Sequence, residues 1–119
     1  MNTPKNHRVK ICGLTRPEDV ETAILHGASF LGFIVEAKSA RKLSLAQAAK
    51  LSLPAKASAK TVAVTVNADD TLIDAIATQM QPDYIQLHGD ESVDRVAEIA
   101  RKFSVKTVKA IPVLSLIHI

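Results

Sequence analysis

Two short stretches hold the residue types that suit chemistry. In Val9-Lys10-Ile11-Cys12-Gly13-Leu14-Thr15 an apolar strand ends on the chain's one cysteine. In Gln86-Leu87-His88-Gly89-Asp90 a second strand ends on an amide and an imidazole. A cysteine acts as nucleophile or base through its thiolate, which a nearby cation or helix N-terminus favours. Alternation along a strand puts Lys10 and Cys12 on one side, opposite Val9 and Ile11, so Lys10 is the candidate cation. It also puts Tyr84, Gln86 and His88 on one polar stripe, which suits a pocket. The plainer alternatives stay open at this point: a free cysteine often behaves as a small hydrophobe, and a strand-end histidine is often structural. Arg41 offers a planar fork suited to a carboxylate, although a loop arginine is commonly just solvated. Asn67 and Asp69 fit helix capping better than chemistry. Asp90 and Glu91 suit the start of a helix through its dipole. No Cys/His cluster has metal spacing, so neither a metal nor another cofactor is expected.

The elements that must carry these groups alternate regularly. Strands are expected over residues 8–12, 30–35, 61–66, 83–88 and 106–111. Phe30-Leu31-Gly32-Phe33-Ile34-Val35 is apolar throughout, as a strand buried on both faces should be. Helices are expected between them. The first opens near Thr15 or Arg16 with Pro17 in its first turn and stops at Gly27. The second runs from Leu45 to Leu53 and is ended by Pro54, with 55–60 as a linker of small residues. The third follows the helical spacing of Leu72, Ile73, Ile76, Ala77 and Met80. The fourth covers 91–103 with Val93, Val96, Ala97, Ile99 and Ala100 on its apolar side. From the third strand on, strand starts recur roughly every 23 residues, a β–loop–α repeat.

Such a pattern implies a parallel sheet covered by helices. The glycine fingerprint of a dinucleotide fold is missing after the first strand. Polar groups sit instead at the C-terminal ends of several strands (Cys12, Asn67, His88), as on the active face of a barrel. The expected fold class is α/β, of the (β/α)8 TIM-barrel type, present as an N-terminal half of five strands and four helices. A full barrel takes about 250 residues, and this chain has 119. An open half leaves two unpaired edges and an apolar interior face in water. The expected organisation is a polar extension at 1–7, the half-barrel at 8–112 and an atypical tail at 113–119.

The totals fit an ordinary single domain, 47% hydrophobic and 23% charged. The net charge of +3 is spread over scattered lysines with 3% aromatics. That disfavours nucleic acid and suits an anionic small molecule. One cysteine, a polar start and no bilayer-length apolar run favour a cytoplasmic protein without membrane partners.

Five motifs in order sharpen the reading: Val9 to Thr15, Gly32-Phe33-Ile34, Lys38-Ser39-Ala40-Arg41, Val64-Thr65-Val66-Asn67 and Gln86-Leu87-His88-Gly89. Together, over residues 8–112, they resemble the phosphoribosylanthranilate isomerase family of tryptophan biosynthesis. The resemblance implies an Amadori rearrangement on an eight-fold barrel, converting N-(5-phosphoribosyl)anthranilate to 1-(2-carboxyphenylamino)-1-deoxyribulose 5-phosphate. By motif it makes Cys12 the general base and Arg41 the ligand of the anthranilate carboxylate, with Gln86 and His88 lining the pocket and Lys10 in support. The family usually has proline where this chain has Ala40, and losing that restraint loosens the loop that aims Arg41. The family's general acid follows its sixth strand and its phosphate loops follow the seventh and eighth. These have no counterpart here, so the chain alone is expected to be inactive. Two alternatives are a non-catalytic half-barrel that self-associates as a homo-oligomer through its open edges, and another phosphate-binding barrel enzyme.

Overall fold

A computed structural model of the chain describes residues 9–35 and 42–110. It contains β1 (Lys10–Cys12), α1 (Pro17–Leu25), β2 (Phe30–Val35), the two-residue β3 (Lys42–Leu43), α2 (Leu45–Ser52), β4 (Lys60–Thr65), α3 (Asp70–Ala75), β5 (Tyr84–Leu87), α4 (Val93–Phe103) and β6 (Lys106–Lys109). The main strands lie in the order β1-β2-β4-β5-β6, every pairing parallel, with β3 attached to the end of β2. Sequential main strands are therefore neighbours throughout. Among the described strands the order never reverses, as it does at the switch point of a doubly wound sheet, and the barrel-type expectation holds. Five parallel strands and four helices make the α/β layer, with β1 and β6 at its edges.

Local signals explain most boundaries. Pro17 opens α1 behind the extended Arg16, with Glu18 and Asp19 in the first turn. Its end is a Schellman turn: Gly27 N–H donates to Ile24 and Ala28 N–H to Ala23. Ser44 and Gln47 form a reciprocal capping box on α2. Asp69 caps α3 and Ser92 caps α4, each side chain accepting from a backbone N–H three residues on.

Four expectations need correction. Pro54 does not end the second helix outright: the chain tightens into a 3-10 segment, Leu53–Ala57, with the proline in its first turn, where a missing N–H costs nothing. The small-residue linker is thus partly helical. The third helix passes into a π-helical stretch, Ile76–Met80, before Gln81 turns left-handed. A two-residue strand at Lys42–Leu43 is an element the sequence reading did not include. Val93 is 85% exposed, because α4 packs through Ile99, Val96 and Phe103 instead.

The sheet separates two unequal apolar clusters. On the helix side, Leu31, Phe33, Ile85 and Leu87 pack with Val20, Ile73, Ile76 and Ile99 at essentially zero exposure. On the other side a small cluster of Ile34, Val62 and Val64 is flanked by partly buried Phe30 and Tyr84. Register explains the division. Cys12, Gly32, Val62 and Tyr84 are aligned across β1, β2, β4 and β5, and in parallel strands aligned residues face the same way.

Candidate active site

The inner face carries the expected groups. Lys10 and Cys12 come from β1, Tyr84 and Gln86 from β5, and His88 follows directly after β5. Cys12 is a free, exposed thiol at the C-terminal end of β1. Its neighbour across the sheet is Gly32. A β-carbon added at Gly32 would meet Cys12 Sγ at 3.0 Å, so the absence of a side chain there leaves room for the thiol to lie against β2.

Lys10 does not spend its ammonium on the cysteine in this structure; it donates to Gln86 Oε1 across the open interior. With that oxygen engaged, Gln86 Nε2 faces His88 Nδ1 at 3.5 Å. An amide nitrogen only donates, so Nδ1 is the acceptor in this pairing. Lys10, Gln86 and His88 thus form a polar chain running up the inner face. Below it a cleft of about 310 Å3 is lined by Lys10, Phe30, Val62, Tyr84, Gln86 and Val108. Phe30 and Tyr84 open β2 and β5, so this cleft lies toward the N-terminal ends of the strands, away from Cys12 and His88. Arg41 and its motif Lys38 to Arg41 lie outside the described residues, as do 1–7 and 113–119. Among the described residues no cluster of His, Cys, Asp and Glu could hold a metal ion.

The loops above the strands are organised by a residue whose role the sequence hid. Asn67 is not a helix cap: its backbone is left-handed (φ 49°), and its Oδ1 accepts from the N–H of Asp90 at 2.8 Å. Its own N–H donates to Glu91 Oε2 at 2.9 Å. Glu91 Oε1 accepts from Gly89 N–H at 2.9 Å and from Lys109 Nζ at 2.9 Å. Lys109 also donates to the Gly89 carbonyl. Glu91 stands directly before the cap of α4, and its carboxylate, with the side chain 3% exposed, points into this knot. Burial pushes its carboxyl pKa up, but the Lys109 ammonium and the backbone N–H donors, its own and that of Asn67, outweigh it and hold the group below the ordinary range. Gly89 has no alternative here, because a β-carbon would fall 2.5 Å from Asn67 Oδ1. The only cue in the sequence was an acid following a strand-end glycine, and that pattern fits a helix start equally well.

Parallel strands in sequential order, helices on one face and polar groups gathered at the C-terminal strand ends define a protein of the (β/α)-barrel class. Comparison with known proteins narrows this further. The family model described as N-(5'phosphoribosyl)anthranilate (PRA) isomerase matches residues 9–115, and the chain belongs to that family. The N-(5'-phosphoribosyl)anthranilate isomerase of Parvibaculum lavamentivorans is 45% identical over 104 residues, covering 87% of this chain and 48% of that protein. The enzyme of the same name from Caulobacter vibrioides is 46% identical over 110 residues, covering 92% of this chain and 50% of that protein. A crystal structure of phosphoribosyl anthranilate isomerase in complex with reduced 1-(o-carboxyphenylamino)-1-deoxyribulose 5-phosphate superposes with a TM-score of 0.80 at 34% identity. It covers 87% of this chain and 53% of that one. The chain spans about half the length of the relatives it matches.

Proposed function

We propose that these residues form the first half of a phosphoribosylanthranilate isomerase site of tryptophan biosynthesis, with Cys12 as the general base. The reaction needs two proton transfers. An acid protonates the ribose ring oxygen and opens the furanose to a Schiff base; a base then takes the proton from C2′, and the enolamine tautomerises to the aminodeoxyribulose product. The observation that carries the reading is the exposed thiol of Cys12 over Gly32, on the same sheet face as the Lys10–Gln86–His88 chain. Gln86 and His88 contact the substrate in this reading, Lys10 holds Gln86 in place, and Arg41 meets the anthranilate carboxylate. The basic balance of the chain suits a phosphorylated, carboxylated substrate. No described helix is long and apolar enough to cross a membrane. A working exposed thiol requires a reducing setting, so the reading includes a cytoplasmic location.

The general acid and the phosphate loops of the family are not contributed by these residues, so turnover by the 119-residue chain alone is expected to be negligible. The site itself is testable on that chain. Reduced 1-(o-carboxyphenylamino)-1-deoxyribulose 5-phosphate should slow alkylation of Cys12 by iodoacetamide several-fold. An alkylation rate indifferent to millimolar ligand sinks the reading.

One observation favours a second reading. Among the described residues β1 and β6 each pair on one side alone, and Val108 on the inner face is 42% exposed. A half-barrel that self-associates through β1 and β6 would cover these surfaces. Sedimentation decides it: a clean monomer at micromolar concentration rules it out. The reading as some other phosphate-binding barrel enzyme has lost its support, since the matched family is a specific one.

A further inference from the structure

We propose that Glu91 is a positioning residue that sets the His88 side of the C-terminal face by tying the β4–α3 and β5–α4 loops to each other and to the end of β6. The inference rests on the reading of His88 as a substrate-facing group. Position 88 is held from two sides. His88 N–H donates to the Thr65 carbonyl at 2.8 Å, which fixes it to β4. The next N–H, that of Gly89, donates to Glu91 Oε1 at 2.9 Å. The second carboxylate oxygen of Glu91 accepts from Asn67 N–H, 24 positions earlier in the chain, so one side chain spans two loops. Lys109 closes the knot from β6, bonding both Glu91 Oε1 and the Gly89 carbonyl. Asn67 returns a bond to Asp90, and its amide packs so closely on Gly89 that no side chain fits there.

This arrangement is not a helix cap by another name. The cap of α4 is Ser92, whose hydroxyl oxygen accepts from Arg95 N–H at 3.1 Å. Glu91 is adjacent, but its oxygens face the loops. A carboxylate suits the task because it only accepts, and all three of its partners donate. Glutamine keeps the shape but replaces one acceptor oxygen with an NH2, which opposes an N–H donor.

The test uses the 15N-labelled 119-residue chain and its variants E91Q, K109M and S92A. E91Q should speed hydrogen exchange at the Asn67 and Gly89 amides about tenfold or more, because one bond is lost and the other loses its charge assistance. It should also shift or broaden the imidazole 15N signals of His88. S92A removes a bond of the same helix start and should lower the melting temperature without moving His88. Wild-type exchange at Asn67 and Gly89 in E91Q, or a His88 signal moved equally by S92A, overturns the proposal. If E91Q does not fold, K109M decides: it should loosen Gly89 and move His88, and an unchanged His88 again overturns it. Titration with reduced 1-(o-carboxyphenylamino)-1-deoxyribulose 5-phosphate separates the two readings. A wild-type His88 that ignores the ligand defeats the substrate reading, while the exchange and imidazole results still decide the role of Glu91.

Discussion

The two faces of the sheet obey different rules. The helix-side face is closed and mostly apolar at its centre, with Leu31, Phe33, Ile85 and Leu87 fully buried beside the equally buried Thr61 and Thr65. The inner face alternates apolar residues with Lys10, Cys12, Tyr84 and Gln86 and stays partly open. Burial dominates the first, so size and shape restrict each residue there. The second contributes less to holding the chain together, and its polar residues are free to be chosen for what they bond. The difference teaches where stability and chemistry are separable in this molecule.

The sharpest way to break that contrast is to delete bulk from each face. Phe33→Ala should cost about 3–5 kcal/mol, a large share of the roughly 5–15 kcal/mol of a typical domain. Val108→Ser on the inner face should stay within about 0.5 kcal/mol. Urea unfolding measures both, and comparable losses would mean the inner face is as much a core as the outer.

A smaller effect lies where the faces meet the chemistry. Gly32→Ala places a β-carbon 3.0 Å from Cys12 Sγ. Overpacking of this kind costs about 1–3 kcal/mol, and the thiol should be displaced as well. Iodoacetamide labelling of Cys12 in the folded variant should therefore change rate relative to wild type. An unchanged rate would mean the thiol does not rest on β2.

The third effect concerns the loops above the inner face. Glu91 is held below the ordinary carboxyl range in the folded chain, so folding favours its ionised form. Its stabilising contribution is complete above the unfolded value, about 4.3, and is lost as pH falls through the lower folded value. Stability measured by urea at pH 6 and at pH 3 should differ less in E91Q than in wild type, since glutamine does not titrate. Parallel pH profiles for the two chains would remove Glu91 from the acid-sensitive set. The smallest effect belongs to the exposed pair of Arg16 and Asp19, 3.0 Å apart. Its guanidinium hydrogen bond and charge hold the Asp19 carboxyl low, yet both groups are in water. Asp19→Asn should leave the melting temperature unchanged within error.

Much of this was legible in the chain itself. The apolar runs of β2 and β4, the Pro17 start and Gly27 stop of α1, and the strand-end positions of Cys12 and His88 are local patterns, and local patterns survive the reading of a single sequence. Asp69 capped its helix as such patterns predict, whereas Asn67 did not. Its side chain was drawn to Asp90 and its N–H to Glu91, partners that no spacing rule connects. Val93 satisfied the helical period but faces water, since the period fixes which residues share a stripe and not which stripe meets the sheet.

Sequence by itself therefore determined the order of the five main strands and four helices, the parallel sheet and the motifs that place the chain in its family, because each follows from short-range sterics and burial. Tertiary structure alone decided that Lys10 reaches Gln86 across 76 positions of chain and that Glu91 joins two loops to β6. Hydrogen bonds of that kind are set by which groups the folded backbone brings within about 3 Å of one another, and that distance does not exist until the sheet has formed.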